Sequence, residues 1–447
     1  MADFAKGTHH VHLSEASFLY EQRLSLCDDP GLTWKDFDDF EQRFEAHIDG
    51  LVVGEDLALE ICKQQASAGD FGELHAAMRV FCRQNRLDLV LETIEAIDHE
   101  DAKKLQAVAD ALSDELSTAW QDDFVGLLQD GNLKLVAILP KLIGYRRLAA
   151  GTELLQALQE NGAYLPATLI WALGRLRERN ADVPLLNTYL QHTVEAVRSA
   201  AALALLRIGE PQTTTYCLRY ARQQNWVLLP IGLGGSRSAV PVLREIAARA
   251  KPNPDCLLAL GLLGDVSALD PLLTQLGNTE LAGSAAQALN LITGAEIDEE
   301  IFVPEPVDED ELFEEELEKL KRGEPLYPPG QEPGTTITRL SQKPEDWHKW
   351  WTANQSRFDP KIRYRNGRPY SPARLLENLE SEKSPRQVRQ LAYEELVIRY
   401  GVDFPFETDM FVAQQKHALA KYAEWIKANG SRFREGKWYF AGQPLTG

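Results

Sequence analysis

Val197-Arg198-Ser199-Ala200-Ala201-Ala202-Leu203-Ala204-Leu205-Leu206-Arg207-Ile208-Gly209 is the stretch on which the fold turns. Alanine and leucine are the strongest helix formers, and Gly209 suits the left-handed residue that closes a helix. The same kind of ending recurs in Ile231-Gly232-Leu233-Gly234 and in Leu260-Gly261-Leu262-Leu263-Gly264. Between these endings Pro184, Pro211, Pro241 and Pro271 recur at intervals close to thirty residues. Short apolar starts follow, as in Pro241-Val242-Leu243 and Pro271-Leu272-Leu273, where a missing N–H costs nothing because first-turn donors are unpaired anyway. Ala200, Ala201, Ala204, Ala285, Ala286 and Ala288 leave room for neighbouring helices to approach closely. A helix pair of this length cannot bury its apolar face alone, so the units must stack into a solenoid with a continuous core.

This pattern resembles HEAT-like repeats over residues 131–295, with Trp226 to Gly235 as an irregular, glycine-rich unit. Upstream, residues 1–130 read as amphipathic helices, clearest where Phe37, Phe40, Phe44, Ile48 and Leu51 form one apolar stripe. Thr33 and Asp98 are expected to cap following helices, and Asp70 with Glu73 resembles a capping box. Residues 296–344 read as an acidic linker, because Pro304, Pro306, Pro325, Pro328, Pro329 and Pro333 exclude long helices except near 308–322. Residues 345–447 form a Trp-rich, mainly helical C-terminal unit, with helices expected at 345–355, 371–382, 384–400 and 409–429. The expected fold is all-α throughout.

Composition narrows the function. Of the 447 residues 44% are hydrophobic and 26% charged, the balance of a folded chain rather than a disordered one. The net charge of −20 repels phosphate backbones and anionic membrane surfaces, so neither nucleic acid nor a membrane is an expected partner. That charge is uneven. From Glu296 to Glu324 fourteen acidic residues face only Lys319, Lys321 and Arg322, whereas from Glu345 onward seventeen basic residues outnumber thirteen acidic ones. Cys27, Cys62, Cys82, Cys217 and Cys256 are widely spaced with no C-x-x-C pair and read as reduced core thiols. With no apolar leader and no 18-residue apolar run, the cytoplasm is the expected compartment.

No catalytic constellation emerges, and no cofactor or metal is expected. His99-Glu100 is a single pair where iron-binding repeat proteins need several, and the cluster His9, His10 and His12 lies near a terminus, where disorder is the rule. Cys217 and Cys256 sit in apolar helices with no neighbouring histidine. Gly232, Gly234 and Gly235 lack the strand and lysine of a phosphate loop. Arg175, Arg177, Arg179, Arg198 and Arg207 form a basic set, of which Arg175 and Arg198 are candidates for contact with a protein partner. The other candidates are the acidic run containing Glu309, Glu314 and Glu315, which suits a basic surface, and the basic aromatic turn with Arg363, Tyr364, Arg365 and Arg368. A solvated spacer and a hairpin connection are the plain alternatives. Trp347 and Trp351 share a helical face and read as core.

Three further stretches carry a wider resemblance: Glu45-Ala46-His47-Ile48-Asp49-Gly50-Leu51, Gly72-Glu73-Leu74-His75-Ala76-Ala77, and the helix from Gln414 to Trp425. Through them the chain looks like a family of bacterial HEAT-repeat proteins of unassigned activity, whose genes lie at type VI secretion loci. The resemblance implies a protein-binding adaptor or co-chaperone that serves an effector-loading chaperone or spike-tip protein. It also fits an immunity protein that neutralises an effector by direct binding. A lyase or hydroxylase of the HEAT class stands third, without a site. The resemblance defines no functional residues to carry over.

Overall fold

A computed structural model describes residues 2–29, 31–130, 132–160, 164–176, 183–249, 251–305, 307, 312–328 and 331–445, with the side chains of 2, 3, 129 and 130 excepted. The fold is an all-α solenoid. Its inner row consists of α4 (Phe71–Arg83), α6 (Ala102–Glu115), α8 (Leu133–Arg146), α10 (Pro166–Leu173), α12 (Glu195–Ile208), α14 (Leu228–Gly234), α16 (Pro254–Leu263) and α18 (Ala282–Thr293). Each packs on the next. Shorter helices back them: α5 (Leu87–Ala96), α7 (Gln121–Gly126), α9 (Gly151–Glu160), α11 (Val183–Tyr189), α13 (Gln212–Tyr220), α15 (Val240–Ala247) and α17 (Leu269–Gln275). The row passes residue 130 without a break, since α4, α6 and α8 stack in succession. Ahead of it, α1 (Ala2–Leu26), α2 (Phe37–Val53) and α3 (Glu55–Ala68) close the first end.

Small residues set the spacing of the row. A Cβ on Gly174 would come within 2.7 Å of the Ala204 backbone, on Gly232 within 2.7 Å of Ala259, and on Gly261 within 2.8 Å of Ala288. Backbones therefore touch at three joints of the row, α10 with α12, α14 with α16 and α16 with α18, and an alanine at any of these glycines must push the helices apart. Gly209, Gly264 and Gly294 end their helices with φ of +92°, +67° and +58°, which L side chains rarely adopt. One continuous apolar core runs from Leu13 to Ile292 and on to Trp347 and Tyr364.

Local signals correct some expectations. Asp70 caps α4 through the Glu73 amide at 2.7 Å. Thr33 caps nothing: its own N–H donates to Asp36 Oδ2. Asp101, not Asp98, caps α6 by accepting from Lys104 N at 3.0 Å, because Asp98 is engaged by the Glu100 amide. The histidine cluster belongs to the ordered helix α1, with His12 edge-on to His47 at 5.2 Å between ring centroids. Cys62, Cys82, Cys217 and Cys256 are buried and free, and burial pushes each thiol up to about 12. No helix among the described residues is long and apolar enough to cross a membrane.

Residues 296–344 carry more structure than a linker. Strand β1 (Asp298–Pro304) pairs antiparallel with β2 (Gly334–Leu340), with Asp298 opposite Leu340 and Pro304 opposite Gly334. This two-stranded arm carries α19 (Glu314–Lys321), which has no buried residue. The arm is pinned at its base, where Glu299 meets Arg339 at 3.1 Å and Lys343 at 3.3 Å, and where Trp347 Nε1 donates to the Ser341 carbonyl at 2.7 Å. Beyond it come α20 (Pro344–Asn354), the hairpin β3 (Tyr364–Arg365) and β4 (Arg368–Pro369), α21 (Pro372–Glu380), α22 (Arg386–Tyr400), α23 (Val412–Asn429) and the hairpin β5 (Tyr439–Phe440) and β6 (Gln443–Pro444).

Candidate functional site

A solenoid offers its inner face to partners, and the inner helices here end in basic residues facing one way. Lys141, Arg147, Arg175 and Arg207 stand along α8, α10 and α12 or just past their ends. Their counterions come from the C-terminal unit. Arg175 clamps Glu407 with Nε at 2.5 Å and Nη2 at 2.9 Å. Arg207 reaches Glu394 at 2.5 Å, Asp403 at 2.9 Å and the Tyr393 hydroxyl at 2.9 Å, while its Nε caps the Gly174 carbonyl. Arg147 bonds Tyr393 at 2.5 Å and Asp403 at 3.1 Å. Lys141 and the Tyr145 hydroxyl hold Asp409. Burial alone would raise the Asp403 carboxyl, but Arg207 and Arg147 outweigh it and hold the group down at about 2.

Further along the row the groove meets helix ends rather than side chains. The last carbonyls of a helix lack internal partners and sit at the negative end of its dipole. Arg399 donates to the carbonyls of Gly232 at 2.8 Å and Gly235 at 3.1 Å. Arg363 donates to Leu262 at 2.6 Å and Leu263 at 3.1 Å, and Trp438 Nε1 also reaches Leu263 at 3.2 Å. Glu395, fully enclosed, gathers this end by accepting from Arg363 at 2.7 Å, Arg365 at 2.8 Å and the Tyr370 hydroxyl at 2.8 Å. At the opposite end Arg23 donates to the carbonyls of Asp409 and Met410, Glu41 accepts from Val412 N at 2.6 Å, and Phe411 packs on Phe44. The C-terminal unit thus occupies the inner face from the first helices to α18.

The expected partner residues divide accordingly. Arg175, Arg363, Tyr364 and Arg365 are buried inside this internal interface, which removes them as contacts for an outside partner. Arg198 is half-buried against Trp226 and caps the carbonyls of His192 and Thr193, a bond within its own repeat. Arg368 is exposed and pairs with Glu377 at 2.9 Å. Glu314 and Glu315 are exposed on α19. Glu309, Arg177 and Arg179 lie outside the described residues. The turn around Arg363 to Tyr370 is a hairpin, the plain alternative.

An internal duplication accompanies that hairpin. Trp350, Asn354, Ser356, Arg357, Phe358, Tyr364, Gly367 and Pro369 recur at a constant offset as Trp425, Asn429, Ser431, Arg432, Phe433, Tyr439, Gly442 and Pro444. The bonds recur as well. The Tyr364 hydroxyl accepts from Asp359 N at 2.6 Å and that of Tyr439 from Arg434 N at 2.7 Å, while Asn354 and Asn429 each donate to the tryptophan carbonyl one turn back. Each hairpin docks its turn on a helix end closed by a left-handed glycine. Asn366 and Gly367 donate to the Leu291 and Ile292 carbonyls of α18, and Ala441 and Gly442 to those of Ile398 and Arg399 on α22. Comparing the sequence with itself at a fixed shift would have found this signal. Reading single motifs did not.

One family model matches part of the array. Residues 151–229 match the family model for HEAT repeats, a span from α9 into the start of α14. The repeats within residues 151–229 are therefore of the HEAT type, a module that commonly binds other proteins. No curated protein matches the chain. Among solved structures, the X-ray structure of the E. coli protein YibA aligns at 16% identity over 55% of this chain and 94% of that one, with a TM-score of 0.34.

Proposed function

We propose that this protein is an adaptor or co-chaperone that engages a basic protein partner through its acidic arm, not through its inner face. One observation carries the reading. The inner face is neutralised by the molecule's own C-terminal unit, while α19 presents Glu314, Glu315 and Glu318 to solvent beside Phe313, which is 78% exposed. Phe302 on β1 is 51% exposed, so the arm joins apolar anchors to a negative field. Anchors of this kind supply affinity, and the field supplies steering and selectivity. The β-ribbon itself has two open edges to which a partner strand can add.

The wider resemblance to proteins of type VI secretion loci supplies the partner's class: an effector-loading chaperone or a spike-tip protein held before secretion. The test is affinity capture from the native host at moderate salt, with the intact chain and with a Glu314→Lys, Glu315→Lys, Glu318→Lys variant. Capture of a chaperone or tip protein by the intact chain, lost in the variant while unfolding is unchanged, is the expected result. Equal capture by both chains overturns the role of the arm. A single toxic effector as the dominant species, with deletion of the gene sensitising cells to it, replaces the adaptor reading with immunity.

A further inference from the structure

Between the first helices and the C-terminal unit lies a cleft of about 1220 Å³, larger than the roughly 300–1,000 Å³ of common ligand sites. Its walls come from the α1–α2 loop (Trp34), α18 (Asn290), the base of the arm (Arg339) and the start of α22 (Arg386 and Arg389). Most of the charge on these walls cancels locally. Arg23 pairs with Glu41 at 2.7 Å, Arg368 with Glu377 at 2.9 Å, Arg386 with Asp28 at 2.9 Å, and Lys383 with Asp298 at 3.5 Å. Glu382, also on the wall, pairs with Lys35.

Arg389 does not cancel. It is 1% exposed, yet its hydrogen bonds among the described residues go to neutral acceptors, from Nε to the Leu379 carbonyl at 2.8 Å and from Nη2 to the Gln415 side chain at 2.7 Å. Its guanidinium stacks 4.3 Å above the Trp34 ring, whose own buried Nε1–H has no acceptor among the described residues. A buried charge without a counterion is costly, and the wall of a cavity is where a ligand can supply one. Burial, with Arg386 nearby, pushes the Arg389 guanidinium down to about 9.

The helix end points the same way. A helix N-terminus favours acidic side chains, because the free N–H groups and the dipole present positive charge there. The first turn of α22 contains no acidic residue, Pro385 offers no capping side chain, and Lys383, Arg386 and Arg389 cluster on it instead. Lys383 and Arg386 are met there by Asp298 and Asp28, which leaves Arg389 as the cation at this helix end that an anion would complete.

We propose that the cleft is a binding site for a ligand bearing an oxyanion, a phosphate or a carboxylate, seated at the N-terminus of α22 against Arg386 and Arg389 with the Trp34 indole as a further donor. The volume leaves room for an organic body beyond the anionic group. Asn290, Gln287 and Asn378 on the walls supply neutral donors and acceptors for it.

The test is calorimetric and thermal titration of the full chain with inorganic phosphate and, separately, with citrate, each against sodium chloride at equal ionic strength. Saturable binding of one of them, with a rise in Tm that chloride does not reproduce, is expected, and the more effective titrant identifies the anionic group. Arg386→Gln removes an exposed ion pair with Asp28 and a 3.3 Å hydrogen bond to the Thr408 hydroxyl from the free protein, so its ligand-free Tm changes little while affinity falls about tenfold. Arg389→Lys keeps the charge but loses the planar fork, and binding weakens in the same direction. A change in tryptophan fluorescence on binding disappears in Trp34→Phe. Shifts no larger than those with chloride, or undiminished affinity in Arg386→Gln, overturn the proposal.

Discussion

The inner face and the arm are both dense in charge along the sequence, and the folded molecule treats them in opposite ways. On the inner face Arg175 and Arg207 each meet a carboxylate from a distant part of the chain and are withdrawn from water, and in the unit that covers it Arg363 and Arg365 are buried against Glu395. On the arm Glu314 and Glu315 stay in solvent. What separates an internal fastening from an interaction surface is therefore not charge density but whether the countercharge resides in the same molecule. The two also differ in what they contribute. Enclosed ion pairs add little net stability, yet they become expensive when one partner is removed. Solvated charges add almost nothing to stability and act at a distance, within the screening length of the salt.

That contrast can be broken most sharply at Glu395. Its carboxylate is the shared counterion of Arg363 and Arg365, all three fully buried, so Glu395→Ala is expected to cost about 3–5 kcal/mol in urea unfolding. Acid is the next lever. Asp403 is held below its unfolded value of 3.8, so its stabilising contribution is complete above that value and is lost as pH falls towards about 2. Acid titration of the unfolding free energy should show a loss of about 2 kcal/mol across that window, removed in Asp403→Asn. His75 shifts the same way. Burial first, and Arg79 after it, hold its ring well below 6.5 while it stacks on Tyr20 at 3.7 Å. The unfolded chain therefore takes up a proton that the fold refuses, and stability declines as pH falls below 6.5. His75→Phe should flatten that part of the profile. Tyr439→Phe and Tyr364→Phe remove equivalent bonds in the two hairpin copies, each expected to cost about 1 kcal/mol by thermal unfolding. The smallest effect belongs to the arm: Glu314→Lys with Glu315→Lys should leave the unfolding midpoint within about 0.5 kcal/mol of the parent.

Much of the architecture is legible from composition and spacing. Prolines near every thirtieth residue mark helix starts, where a missing N–H costs nothing, and glycines such as Gly209 and Gly264 mark helix ends at a positive φ that few other residues tolerate. The helices of the C-terminal unit fall within a few residues of where their apolar patterns place them. The site is another matter. Nothing local to Arg175 indicates that its partner is Glu407, since an ion pair between residues so distant in sequence leaves no periodic trace. The arm is hidden for a related reason: residues 298–304 and 334–340 pair with each other only across the acidic helix between them, and proline there reads as an interruption. The hairpin duplication, by contrast, was visible all along in Asn354-Gln355-Ser356-Arg357-Phe358 and Asn429-Gly430-Ser431-Arg432-Phe433.

Arg23, on the first helix, donates to the carbonyls of Asp409 and Met410. A chain emerging from the ribosome builds the helices of the row early, through contacts between sequence neighbours, and these form fast. The segment that fills the groove, residues 386–415, arrives only after the row is complete. At roughly 5–20 residues per second, the arginines of α10 and α12 stand without their carboxylates for on the order of ten seconds. Closure then requires contacts between residues as far apart in sequence as Arg23 and Met410, the kind of non-local contact that forms slowly, with the unpaired arginines of the groove open until it is made.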